Sequence, residues 1–424
     1  MIDLEILRSD PDRVRAEIQK RHLDGPDVGE VLKRDKARRT IITKLDEFRV
    51  KLKAASDVVA SAKGDARDQA VTQAKKLSAD AKALEPDVKR AEAAFMELAA
   101  KLPTFAHESV PVGASADDNE VQATKGEKPT FDFAPKPHYE IAEKLGILDA
   151  KRAARVSGSR FHYAKGDLVL LQWALHRFVM DELTQRDFVP MLTPTLVNAG
   201  AMFGAGMFPV DTQEVYSVPA DKLYLIGTSE ITLVNYHAGE TLDIKERPIM
   251  YSGFTTNYRR EAGAAGKDTR GMIRGHQFDK LEMFVFASQE TSWDILDKVL
   301  LPTAEGILEK LRLHFRRVVL ATGDLPYKMQ KTYDVEVWMP AEQRYVEVGS
   351  ISNAGDFQAR RLGIKYINNE GEKRFAHTLN GTAAAFSRLP AAIIENFQEA
   401  DGRVRIPEVL QSHFGNKEYL EASK

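Results

Sequence analysis

Apolar positions fall into two regimes along this chain. Over residues 41–62, Ile41, Leu45, Phe48, Leu52, Ala55, Val59 and Ala62 recur in steps of four and three. The stripe breaks at Lys63-Gly64-Asp65 and resumes as Ala70, Ala74, Leu77, Ala81, Leu84, Val88, Ala91, Phe95, Leu98 and Leu102. That spacing keeps one apolar face turned to a partner helix, which is the seam of a coiled coil. A break containing glycine predicts that the partner is the same chain, folded back as an antiparallel hairpin. At about 1.5 Å per residue, such helices reach roughly 50 Å. Pro86 falls inside the second stripe and predicts a kink there.

Beyond Tyr139 the regime changes. Residues 167–186 read as an amphipathic helix, followed by strand-like runs at 223–226, 249–258, 273–286, 333–338 and 345–348, and a last helix over roughly 383–398. Strands without βαβ alternation predict a mostly antiparallel sheet flanked by helices, hence an α+β fold. Between the regimes, residues 103–137 are rich in Pro, Gly and Asp and read as a linker. Two domains follow, a helical arm over 1–103 and a mixed domain over 104–424.

Composition narrows the function classes. Apolar residues make up 43% of the 424, enough for a large core, and the net charge is only −2, so nucleic-acid binding has to come from a local basic face. Residues 30–63 supply one, with ten basic side chains against five acidic, whereas residues 64–102 carry seven of each. There is no cysteine, which excludes disulfides, thiolate zinc sites and cysteine nucleophiles. The charged opening, MIDLEILRSDPDRVRAEIQKR, does not read as a secretion signal, and no apolar run is long enough for a bilayer. The expected setting is cytoplasmic, away from membranes.

Chemistry concentrates in three segments. In 257–283, two runs bracket a glycine-rich cationic loop from Gly263 to Gly271 that includes Lys267. It is not a P-loop, because Glu261 and Asp268 stand where that motif needs Gly and Ser or Thr. In 344–361, Glu347 and Ser350 at the end of an apolar strand form an oxygen pair suited to Mg²⁺. In 377–398, Asn380-Gly381-Thr382 is expected to open a helix, offering N–H groups to an anion or polar substrate, with Arg388 two turns in.

Taken in order, these blocks resemble the signature motifs of class II aminoacyl-tRNA synthetases. Residues 167–186 with Phe188-Val189-Pro190 and Pro194 resemble motif 1, Tyr258-Arg259-Arg260-Glu261 through Glu282 resemble motif 2, and Gly381 to Arg388 resemble motif 3. HESVPVG (107–113), VSGSRF (156–161), AGAAGKDTRG (262–271), HQFDKLE (276–282) and DFQARR (356–361) are similar to stretches of the seryl-tRNA synthetase family, bacterial type. The resemblance implies a serine–tRNA ligase with a six- or seven-stranded antiparallel catalytic sheet and a tRNA-gripping arm. It would consume ATP with Mg²⁺ and load L-serine onto tRNA(Ser), and onto tRNA(Sec) where present, as a homodimer built through motif 1.

It also implies residue roles. Arg259 and Arg388 would hold ATP phosphates, with Arg260 beside them, Glu261 would meet the adenine amino group, and Gly275 would lie against the nucleotide. Glu347, Val348, Gly349 and Ser350 would complete the ATP site, Glu347 and Ser350 holding the metal. Thr228, Ser229 and Glu230, with Glu282 and Thr382, would bind L-serine. Catalysis would rest on Arg259, Arg388 and Glu347. The family's usual Phe-Arg-Ser-Glu reads Tyr258-Arg259-Arg260-Glu261 here, and its Glu-Ile-Ser-Ser reads Glu347-Val348-Gly349-Ser350.

Overall fold

The four-three seam closes as two long helices, α1 (Val28–Ser61) and α2 (Asp65–Ala99). The computed structural model describes residues 1–262 and 270–422, so most of the glycine-rich loop, Lys267 included, lies outside the described residues. By contacts the chain divides into one unit of residues 2–19 and 23–103 and another of residue 1, 20–22 and 104–424.

In the first unit Asp27 caps α1, accepting from the Gly29 and Glu30 amides. The reversal falls on Gly64, at φ +59°, a conformation that a side chain would oppose. Leu45, Ala55, Ala70, Ala81 and Phe95 are buried and the other seam positions from Ile41 to Leu98 are half-buried. Two helices packed only on each other cannot cover the seam more fully. α2 continues through Pro86 as one helix. Near the base, Asp35 gathers Arg8, Arg38 and Arg39 at 2.7, 2.9 and 3.0 Å. Burial pushes that carboxyl's pKa up, but hydrogen bonds from Arg8 and Arg38 outweigh it and hold it at about 2. Lys36, Lys44, Lys51, Lys53 and Lys63 stay exposed and pair with no acid among the described residues.

The second unit is built on an eight-stranded sheet. In chain order its strands are β1 (Glu120–Lys125), β2 (Val189–Leu192), β3 (Ile249–Tyr258), β4 (Gln277–Ala287), β5 (Phe315–Val319), β6 (Lys331–Met339), β7 (Arg344–Asn353) and β8 (His377–Ala385). Their spatial order is β1-β5-β6-β7-β8-β4-β3-β2. All neighbours are antiparallel except β2 and β3. On β4, Leu281, Met283, Val285 and Ala287 join a core cluster with Leu171 and Leu175 of α3 (Asp167–Thr184) and Ile393 of α4 (Arg388–Asn396). Phe284 and Phe286 face the other way, into a cluster with Ile226, Ile231 and Leu233.

Five expectations need correcting. The stretch 103–137 is not only a linker: it contributes the edge strand β1, hidden because its residues are mostly exposed and carry no apolar alternation. Asn380-Gly381-Thr382 does not open a helix. It sits inside β8, where small residues pack between neighbouring strands, and the helix starts only at Arg388. Glu347 and Ser350 lie within β7 rather than at its end. Residues 273–276 precede β4, and the sheet has eight strands where six or seven were expected.

Candidate active site

Strand alternation builds the floor of the site. The face of β4 that carries Phe284 and Phe286 continues toward its start with Glu282, Lys280 and Phe278 at every second residue, the first two of them charged. These three line a cavity of about 260 Å³. Two bulges aim its neighbours. One shifts register between Leu281–Ala384 and Glu282–Thr382, leaving Ala383 unmatched, and the other shifts Val335–Gly349 to Glu336–Glu347, leaving Val348 unmatched. A bulge bends a strand and re-aims side chains, and both fall at expected site residues. At Gly349 a Cβ would stand 3.1 Å from the Thr382 carbonyl, so glycine permits β7 to approach β8 closely.

At one end of the cavity sits a buried carboxylate. Glu282 Oε1 accepts from Asn380 at 3.0 Å, while Oε2 accepts from the Thr382 hydroxyl at 3.3 Å and pairs with Lys280 at 2.6 Å. Lys280 also donates to Thr228 Oγ1 at 2.9 Å. Burial draws the Lys280 pKa below the ordinary lysine value, while Glu282 pulls it back up. Glu230, which opens the helix Glu230–Asn235, accepts from Lys328 at 2.7 Å and Gln358 at 2.6 Å.

Cations ring the rest. Arg259 donates to the Gly227 carbonyl at 3.2 Å, its guanidinium 5.3 Å from the Phe278 ring. Arg388, in the first turn of α4, donates to the carbonyls of Ile273 (3.3 Å) and Glu347 (2.9 Å) and pairs with the Glu347 carboxylate at 3.2 Å. Glu347 keeps 40% of its side chain open to solvent. Burial raises its pKa, but Arg388 and Arg259 prevail and hold it below the usual range. Next to it Asp334 is pushed well up, first by burial and then by the Glu347 charge. Arg274 pairs with Glu261 at 3.0 Å. Glu261 holds φ +54°, a strained backbone for a residue with a side chain.

Eleven of the residues singled out in the sequence line this one cavity: Thr228, Glu230, Arg259, Glu261, Gly275, Glu282, Glu347, Val348, Ser350, Thr382 and Arg388. Three do not. Ser229 is fully buried and donates to the Gly253 carbonyl at 3.1 Å. Arg260 has an exposed side chain, and its amide bonds the Glu214 carbonyl. Gly349 contributes only its lack of a side chain. Sequence reading assigned no role to Phe278, Lys280 or Lys328, which also line the cavity, and Asn380 lines it from a strand rather than from the expected helix opening. The period-two alternation with Glu282 was a usable signal for Phe278 and Lys280. Lys328 had none.

Known proteins resemble this chain over its whole length. The family model described as the seryl-tRNA synthetase N-terminal domain matches residues 1–106, and that of the tRNA synthetase class II core domain (G, H, P, S and T) matches residues 215–397. A seryl-tRNA synthetase from Pyrococcus horikoshii, solved with ATP, is 35% identical, with a TM-score of 0.87 over 100% of both chains. The chain belongs to the seryl-tRNA synthetase family. A cytoplasmic serine-tRNA ligase from Naegleria fowleri, solved with AMP, is 30% identical, with a TM-score of 0.84 over 100% of this chain and 99% of that one. The M. kandleri SerRS, solved with A. aeolicus tRNASec, is 17% identical, with a TM-score of 0.60 over 84% and 71%, and shares the fold. The activity is that of a seryl-tRNA synthetase, an ATP-dependent ligase that joins serine to tRNA. Among the described residues, no helix is long and apolar enough to cross a membrane.

Proposed function

We propose that this cavity makes seryl-adenylate from L-serine and ATP and then passes the seryl group to the 3′ end of tRNA(Ser). The observation that carries this reading is the buried Glu282, flanked by Thr382, Asn380 and Lys280, in the same cavity as Arg259 and Arg388. Glu282 pairs the serine ammonium, and Thr382 meets the hydroxyl. An analogue without that hydroxyl leaves Thr382 without that partner, which is where the selectivity comes from.

A serine carboxylate oxygen attacks the α-phosphorus as the bond to pyrophosphate breaks. Arg259 and Arg388 face the charge that moves onto the leaving group. Glu261 accepts from the adenine amino group, and Gly275 and Val348 border the nucleotide. Ser229 and Glu230 act through the frame, Ser229 by tying its turn to β3 and Glu230 by anchoring Lys328 and Gln358. Arg260, exposed and outside the lining, has no phosphate role in this reading.

Mg²⁺ fits the oxygen set of Glu347 and Ser350. Asp334 adjoins them with its Oδ1 buried and without a hydrogen-bond partner. No three acidic or histidine side chains among the described residues group into a metal cage. Glu347 and Ser350 would hold the ion, and it would supply neutralisation of phosphate charge.

The exposed lysines of α1 and α2 face the tRNA backbone. Acceptance of tRNA(Sec) extends from what the M. kandleri SerRS binds. Leu170, Trp173, Val189 and Leu192, all exposed on α3 and the edge strand β2, are the apolar surface that a homodimer covers. The setting is cytoplasmic. The test is ATP–pyrophosphate exchange followed by tRNA charging. Exchange should require serine, run much more weakly with threonine, and nearly vanish with alanine. Equal exchange with alanine and serine would refute the hydroxyl-reading role.

A further inference from the structure

Lys280 is a buried cation at the serine end, and the motifs assign it nothing. Its neighbours are already fully specified by their lone pairs. Glu282 Oε2 has two donors, Lys280 and Thr382, whereas Oε1 has one, Asn380. Among the described residues this leaves a single open acceptor position on Oε1. Thr228 Oγ1 accepts from Lys280 and, at 3.3 Å, from the Glu230 amide. Both its lone pairs are then used, so Thr228 meets a substrate as a donor, and its partner is an oxygen of serine rather than the ammonium.

We propose that Lys280 is a positioning residue for serine recognition, bridging Glu282 and Thr228 so that one presents a single acceptor and the other a single donor. The inference rests on the seryl-adenylate reading of the site. It differs from a merely structural pairing because the bridge decides which atoms remain open to substrate. Removing the ammonium frees Oε2 and a lone pair of Thr228 at once, so serine loses its unique pose while the nucleotide end is untouched. The charges around the ammonium are Glu282 on its own strand, Arg259 just past β3, Glu230 on the adjoining helix and Glu347 on β7. Burial and Arg259 favour the neutral amine and the three carboxylates favour the cation. The bridge therefore weakens at a lower pH than an ordinary lysine would, giving an alkaline limb in serine affinity.

The experiment measures serine and ATP KM separately by pyrophosphate exchange in wild type, Lys280→Met and Lys280→Arg, with a thermal melt of each. Wild type is run first: absence of serine-dependent exchange there overturns the reading of the site itself. Given that activity, Lys280→Met is expected to raise serine KM by about 30-fold or more while ATP KM moves less than about threefold. Lys280→Arg is expected to recover most of that loss and to move the alkaline limb of serine KM upward, since arginine stays charged. Serine's own amine titrates equally in all three proteins and cancels from the comparison. A folded Lys280→Met enzyme with wild-type serine KM overturns the proposal. If Lys280→Met does not fold, Lys280→Arg decides: an alkaline limb at the wild-type position overturns it, and a displaced limb supports it.

Discussion

The helical arm and the catalytic sheet use the same kinds of residue under opposite rules. In the arm, charge sits on the surface and apolar residues define the structure: Leu45, Ala55, Ala81 and Phe95 close the seam, while Lys44, Lys51 and Lys53 stand free. In the site, charge is buried and defines the structure itself, with Lys280 on Glu282 and Lys328 on Glu230. An exposed lysine can be lost with little change in stability. A buried one leaves a carboxylate without its partner. Changes in the arm should therefore alter partner binding, and changes in the site should alter chemistry and selectivity.

The strongest challenge to that contrast is the loss of a phosphate-facing arginine. Arg259→Ala or Arg388→Ala should slow serine-dependent pyrophosphate exchange by about 100–1,000-fold, the usual effect of removing one preorganised donor. Lysine should rescue poorly, because it lacks the planar fork. Arg152, paired with Asp149 and mostly exposed, is the control, and Arg152→Ala should change exchange by less than about threefold. If the two arginines were only structural, melting temperature would fall while the folded fraction kept its rate.

A smaller effect is expected at the hydroxyl. Thr382→Val removes the donor to Glu282 Oε2 and should raise serine KM roughly tenfold, with ATP KM little changed. Equal increases in both constants would mean that the substitution has deformed the β8 bulge.

The smallest effect belongs to the arm. Asp35→Asn should lower its stability by roughly 1–2 kcal/mol, after allowance for the exposed Arg39 partner. The sign with pH follows from the depressed Asp35 pKa of about 2. Its contribution is complete above the unfolded carboxyl value near ~4 and is lost as pH falls toward about 2. Acid melts of wild type and Asp35→Asn should therefore converge below that window; a constant gap down to the lowest pH would contradict the ion-pair account.

The same contrast explains what could be read from the sequence. The arm was legible because its signal is local: the seam needs only neighbours three and four residues away, and Gly64 marks the reversal. Motif residues such as Arg259, Glu282 and Arg388 were legible by resemblance. The frame that joins them was not, since it depends on register between strands distant in sequence. Thr382 meets Glu282, a hundred positions away, only because a bulge leaves Ala383 unmatched. Reading Asn380-Gly381-Thr382 as a helix opening failed for the same reason, because its glycine and alanines serve close strand packing. β1 escaped because an exposed polar edge strand is held by its backbone ladder, not by apolar side chains.

The division of labour is tested most directly by removing the arm. Arg34 donates to the Ala94 carbonyl at 2.8 Å and pairs with Glu97 at 3.2 Å, so the segment Arg34–Glu97 can be excised and closed with a short linker. The measurement is the ratio of tRNA charging to pyrophosphate exchange in the excised and intact proteins. The account predicts exchange within about threefold of intact and charging reduced by about 1,000-fold or more, the scale of losing several phosphate contacts. Exchange and charging falling together, in a protein that still folds, would contradict it.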